Sequence, residues 1–345
     1  MLLLLLPLVA AILLFVTPPP HYTPRPEPNS LQQTLYQRLS DAGLQGDELA
    51  TVGALTLGYK EDLGKDLLRH FRASGAAHVL AVSGLHTGII YGILLWLLTL
   101  GGHLRPRHEN KFGRRSISLT IIVAMWGYAW LTGLTPSVVR AVLMVTVFEV
   151  GRMLYRQAFS INTISTAAFL ILLIRPTDLW SVSFQLSFTA TTAIVIVARK
   201  CELYLHRLDW LKTRIGKLAH WIVGMIIVSL AAQLGTLPLT MYYFHQFSNY
   251  FLLTNLIVLP LATFLVPCGL ITIVLGGTPI GLIAGRITHY LAWLMNHAVE
   301  WIENLPGSTT YIQINLPMVF IYYALLVGLM LLLSIKRTKT IRKNK

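Results

Sequence analysis

Apolar stretches about as long as a bilayer is thick follow one another with little between them: Val79–Leu100, Ile117–Leu134, Pro136–Val150, Ser160–Ile174, Trp180–Ala198, Leu218–Leu239, Phe251–Leu275, Pro279–Glu303 and Pro317–Ile335. A hydrocarbon core of ~30 Å is crossed by roughly 20 helical residues. Backbone amides have no water partner at that depth and must be paired inside helices. The predicted fold is therefore all-α: a polytopic transmembrane helical bundle of roughly nine or ten spans. Composition agrees, since the chain is 54% hydrophobic and 12% charged, against about 25% charge in soluble domains.

Before these spans lies a shorter apolar run, and residues 1–16 read equally as a signal-anchor or a short membrane segment. The prolines of TPPPHYTPRPEPNS, Thr17–Ser30, fix φ and remove amide donors, so residues 17–49 begin as an extended linker and continue as a polar segment. From Leu31 to Ala77 the chain is helix-prone, with breaks at Gly43, Gly46 and Gly64, and reads as an amphipathic collar on the outer face. Residues 50–335 form the transmembrane domain and 336–345 a basic tail.

A formal net charge of +14 suggests an anionic partner, but membrane topology accounts for most of it. When the spans alternate sides, one side receives Arg105–Arg115, Arg152, Arg156, Arg199–Lys217 and Lys336–Lys345, while the short loops opposite hold Arg175. The positive-inside rule then places both termini in the cytoplasm. Cys201 and Cys268 are far apart and give no disulfide framework or zinc spacing, so no metal or cofactor is expected.

Several spans carry polar groups that hydrocarbon would penalise. In HVLAVSGLHTGIIYGILLWLL, Ser83, His86 and Thr87 share one side of a helix, and Gly84, Gly88 and Gly92 form a doubled GxxxG ridge on the opposite flank. The ridge predicts close helix packing, and the polar strip predicts either a cavity or satisfied core contacts. In SVVRAVLMV, Arg140 lies near the outer end of its span, where it either snorkels or lines a path. Glu149 is expected to pair with Arg152 or Arg156. Gln185 and Thr189 belong to a hydrogen-bonding stripe on their span. Pro238, Pro260 and Pro267 predict kinked or broken helices, with Gln233 and Asn255 as polar lining. Arg286 and His289 lie on a polar strip of Pro279–Glu303, a segment that either spans or lies flat at the interface.

HVLAVSGLHTG, together with ALTLGYKEDL (Ala54–Leu63), LTPSVVRAVLM (Leu134–Met144), FQLSFTAT (Phe184–Thr191) and QLGTLPLTMYYFHQFSNYFLLTNLIVLPL (Gln233–Leu261), resembles the ComEC family of DNA-uptake channels. Several separated motifs in the family's order make the resemblance specific. It implies a competence domain over 50–335 in the bacterial inner membrane, conducting single-stranded DNA into the cytoplasm during natural transformation. Implied partners are single-stranded DNA, the lipid bilayer, and a DNA receptor, nuclease and helicase of a competence system, with a homo-oligomer left open. Carried over by position, the motif residues are Ser83, Gly84, His86, Gly88, Arg140, Gln185, Pro238, Asn255 and Pro260. Full-length members usually also carry an OB-like and a metallo-β-lactamase-like domain. No HxHxDH cluster occurs in this sequence, so a non-enzymatic pore is expected. Two alternatives stand beside it: a secondary transporter of a small anionic solute using Arg140, and an intramembrane hydrolase built on Ser83 and His86.

Overall fold

A computed structural model describes residues 28–99, 111–155, 161–205, 213–326 and 328. The run at 1–16, the Pro-rich stretch through residue 27, much of the basic loops and the 336–345 tail lie outside these residues. Apart from connecting turns, the described chain is helical except for one two-stranded antiparallel ribbon, β1 (Gln246–Ser248) paired with β2 (Thr309–Tyr311).

Three short helices come first. α1 (Ser30–Asp41) starts on a reciprocal cap: Asn29 Oδ1 accepts from Gln32 N at 2.7 Å, and Asn29 N donates to Gln32 Oε1 at 3.0 Å. α2 (Gly46–Leu57) has Asp47 and Glu48 at its positive end and stops at Gly58, whose φ of 71° favours glycine. Every residue from Ala50 to Leu57 is buried, so α2 is a core helix and not part of a surface collar. Its small, apolar side chains let α10 and α11 close around it. α3 (Lys65–Ala73) is amphipathic, burying Leu67 and Phe71.

The apolar stretches then fold much as hydropathy drew them: α4 (Gly84–Leu98), α5 (Lys111–Leu131), α6 (Pro136–Met153), α7 (Ile161–Ile174), α8 (Val182–Leu205), α9 (Arg214–Phe244), α10 (Phe251–Leu275), α11 (Pro279–Glu303) and α12 (Leu316–Leu326). A 3-10 turn, Pro176–Trp180, leads into α8. α5 packs on α6, α8 on α9 and α10 on α11, each pair sequential. One hydrophobic core joins α1–α6 with α10 and α11, and a smaller one joins α7 to α8 through Ile164, Ile171, Phe184 and Phe188. The segments Gly216–Phe244 and Phe251–Leu275 are long and apolar enough to cross a membrane. Large apolar side chains such as Trp96, Val123, Leu173, Ile174, Phe264 and Val274 face outward, a surface suited to hydrocarbon rather than water.

One sequence expectation narrows here and another changes. Prolines do not break their helices: α9 runs continuously through Pro238, and α10 through Pro260 and Pro267. Nor is the Gly84, Gly88 and Gly92 ridge a packing surface among the described residues, since a Cβ built at each meets nothing within 4 Å. α4 turns its opposite side, with His86, Thr87 and Ile90, into the protein. Close approach instead occurs where α10 meets α2 and α9 meets α8. A Cβ at Gly269 would lie 2.7 Å from Thr56 Cγ2, and one at Gly235 would lie 2.7 Å from the Thr189 carbonyl oxygen.

Candidate functional site

The polar residues of the first secure span start its helix. Ser83 has extended backbone and is the N-cap of α4. Its amide donates to His86 Nδ1 at 3.1 Å, and its hydroxyl lies 3.0 Å from the same nitrogen. Thr87 Oγ1 donates back to the Ser83 carbonyl at 3.1 Å. His86 therefore takes the place usually held by Glu or Gln in a capping box. With Nδ1 accepting from the backbone, a neutral ring carries its proton on Nε2. His86 is fully buried, and Nε2 has no hydrogen-bond partner among the described residues.

From this cap a chain of contacts crosses the bundle at one end. Ser137 Oγ, in the first turn of α6, donates to the Val82 carbonyl at 2.8 Å, pinning α6 to the start of α4. Arg140 lies nearly a turn further along α6 and is 2% exposed. Its Nη2 donates to Ser183 Oγ near the start of α8, while Nε and Nη1 are buried without partners among the described residues. Two residues on, Gln185 donates to the Leu179 carbonyl at 3.0 Å and accepts from Tyr243 of α9 at 2.9 Å. Thr189 Oγ1 donates back to the carbonyls of Gln185 at 2.7 Å and Leu186 at 3.2 Å, one turn earlier in the same helix.

Ser137 thus ties the start of α6 to the residues before α4, and Arg140 ties it to the start of α8, leaving one buried guanidinium with unpartnered donors at this end of the bundle. Helix N-termini carry partial positive charge, so the arrangement favours an anion. Asp178, in the turn before α8, attracts this guanidinium without closing to an ion pair, and a phosphate or carboxylate oxygen would satisfy its remaining N–H groups.

Other expected site residues fall elsewhere. Gln233 is half-buried on α9 and takes no part in the network. Asn255 presents a buried, unpartnered Oδ1 near the start of α10. Arg286 is exposed, because the buried stripe of α11 runs through Gly281, Gly285, Thr288, Ala292 and Asn296. His289 is half-buried with Nδ1 unpartnered. Glu149 meets Arg152, as its spacing predicts: fully buried, it accepts from Arg152 at 2.8 Å and from Tyr91 at 2.6 Å.

Sequence reasoning did not find Ser183 as the partner of Arg140, nor the bond from Thr51 of α2 to Asn296 of α11 at 2.9 Å. Both pairings join residues distant in sequence, and no local pattern encodes them. Among the described residues no three His, Cys, Asp or Glu side chains are placed to hold a metal ion. Nor does a carboxylate meet His86 Nε2 to orient it for hydrolysis.

No solved structure matches the chain. Among curated proteins, ComE operon protein 3 of Bacillus subtilis is 31% identical over 262 residues, 76% of this chain and 30% of the relative. Recombination protein 2 of Haemophilus influenzae is 24% identical over 252 residues, 70% of this chain and 31% of the relative. An uncharacterized protein of Escherichia coli, YcaI, is 25% identical over 63% of this chain and 28% of its own length. The chain therefore spans roughly a third or less of these relatives. Residues 55–337 match the family described as Competence protein, a stretch that takes in the α4 cap, Arg140 and the prolines of α9 and α10, and the chain belongs to that membrane-protein family.

Proposed function

We propose that this chain is the membrane core of a channel that passes single-stranded DNA into the cytoplasm during natural transformation. One observation carries the reading: Arg140 is buried within an apolar helix bundle with two donors unpartnered. Ionisable groups inside a membrane mark ion and substrate paths. A backbone phosphate passing the Arg140 end of the bundle would accept from Nε and Nη1, and the His86 Nε2–H is a second donor for an oxygen acceptor. Single cations spaced apart suit conduction better than a dense cluster, because a strand must leave each contact as easily as it reaches it.

The chain's share of the work is conduction rather than strand cleavage. Ser83 and His86 serve as a helix cap, with Nδ1 already engaged by the Ser83 amide. In this reading the protein lies in the bacterial inner membrane with multiple passes and both termini in the cytoplasm, an orientation that the positive-inside distribution of its loops supports. The Arg140 end of the bundle then faces outward, and the basic loops attract the emerging strand on the other side. A DNA receptor, a nuclease and a helicase are the partners such a channel requires.

The test is uptake of labelled single-stranded DNA by a deletion strain and by the same strain carrying this chain. Restored uptake is expected. Normal uptake in the deletion strain, with transport of a small anion lost instead, would favour a solute transporter.

A further inference from the structure

Away from the Arg140 network, a cleft of about 560 Å³ lies between α3, the end of α11 and the β1–β2 ribbon. β1 follows directly on α9, a few residues beyond Tyr243, so the cleft borders the end of the bundle where Gln185 and Arg140 sit. Lys65, Arg69 and Arg72 occupy one face of α3, at i, i+4 and i+7, and all line it. The opposite wall is Gln246, Asn304, Ser308 and Tyr311.

The charge in the cleft is unevenly committed. Its one lining carboxylate, Glu303, is held by Arg69 Nε at 3.2 Å and by His70. Arg69 also meets Asp66 at 3.1 Å. Lys65 and Arg72 are exposed and form no ion pair among the described residues. They stand roughly 10 Å apart along the helix, at 1.5 Å per residue. Tyr311 is 79% exposed at the rim, an aromatic ring presented to solvent on a strand fixed by its partner. Cations along a groove beside an exposed aromatic are the pairing that holds single strands without reading sequence: the cations follow the phosphates and the ring stacks a base.

We propose that this cleft is the landing site for a single nucleic-acid strand, with Lys65 and Arg72 on successive stretches of the phosphate backbone and Tyr311 stacking a base. The proposal rests on the reading that the strand is the chain's substrate, and it adds where the strand is first held. Headgroup phosphates are the other source of the same chemistry. The concave, amide- and hydroxyl-lined wall and the solvent-facing ring favour the strand.

The test uses the full chain in discs of zwitterionic lipid, titrated with fluorescein-labelled oligothymidylate across a salt series. Each lost phosphate contact removes roughly 0.7 from the slope of log affinity against log salt for single strands. Lys65→Gln with Arg72→Gln should therefore flatten the slope by about 1.4. Tyr311→Ala should weaken binding about tenfold with the slope unmoved, since stacking releases no counterions. All three positions are exposed, and thermal unfolding of each variant confirms that the fold is intact. A wild-type slope in the double variant overturns the landing site, as does an effect seen only when anionic lipid is added to the discs. Absence of binding by the wild-type chain overturns it too. Uptake in cells by that same chain then separates the readings: if uptake persists, the substrate reading stands and the landing site alone fails.

Discussion

Tyr322 donates its hydroxyl to the carbonyl oxygen of Leu234 at 3.0 Å. That carbonyl is the acceptor to which residue 238 would bond in a regular helix, and Pro238 has no N–H to offer. The neighbouring Tyr323 donates to the Gly235 carbonyl at 2.8 Å. α12 thus supplies from outside the bond that α9 forgoes at Pro238 and adds one on the next carbonyl, which helps α9 stay continuous in an apolar setting. Tyr322→Phe should cost about 1 kcal/mol, the price of leaving a carbonyl unmet. In a Pro238→Ala background the same change should cost much less. Chemical unfolding of the four chains of this double-mutant cycle checks the coupling, and additive effects would refute it.

At the other end of α6, Glu149 is fully buried between Tyr91 and Arg152. Replacing the carboxylate by an amide keeps one acceptor oxygen for Arg152 and the Tyr91 hydroxyl but removes the counter-charge of Arg152 and puts an NH2 donor in place of the second oxygen. Glu149→Gln should destabilise the chain by about 3 kcal/mol, and Tyr91→Phe by about 1 kcal/mol. Unfolding midpoints in detergent should follow that order; equal, negligible losses would mean the pair is solvated and unimportant.

The two classes of glycine should respond oppositely to the same added methyl. Gly269→Ala drives a Cβ to 2.7 Å from Thr56 Cγ2 and 3.1 Å from Val52 Cγ1, an overpacking cost of about 1–3 kcal/mol. Gly88→Ala enters open space and should stabilise α4 by up to ~1 kcal/mol through helix propensity. Thermal unfolding distinguishes them. A Gly88→Ala loss as large as that of Gly269→Ala would mean that a partner helix covers the ridge.

Tyr36 stacks on Tyr59 with ring centroids 4.2 Å apart. Burial, followed by its bond to and the charge of Asp62, raises its phenol pKa. The folded chain therefore holds this proton more tightly than the unfolded chain, whose phenol titrates near pH 10. As pH climbs past about 10 the unfolded state loses its proton first, so stability should fall with rising pH. Tyr36→Phe should shallow that alkaline decline, measured as unfolding free energy against pH; an unchanged slope would show that Tyr36 does not drive it.

The helices were legible because hydropathy over twenty residues records where backbone must be self-paired: α10 and α11 match the sequence spans to the residue. The pairing of Glu149 with Arg152 was equally legible, being one helical turn. The burial of α2 was not, since its apolar run is too short to span and sits within a polar stretch, and only the closure of α10 and α11 makes it core. The GLHTG segment showed its glycine and polar faces correctly, but which face meets protein is decided by distant helices. In the same way, Arg140 was visible as an intramembrane cation, while its contact with Ser183 depends on how α6 meets α8.

The most direct measurement is uptake of labelled single-stranded DNA by cells carrying Arg140→Gln at wild-type membrane abundance. A charge-assisted hydrogen bond is worth about 1.5–3 kcal/mol, and 1.4 kcal/mol is a factor of ten. Uptake should therefore fall at least about tenfold. Wild-type uptake by the Arg140→Gln chain would contradict a strand passing that guanidinium.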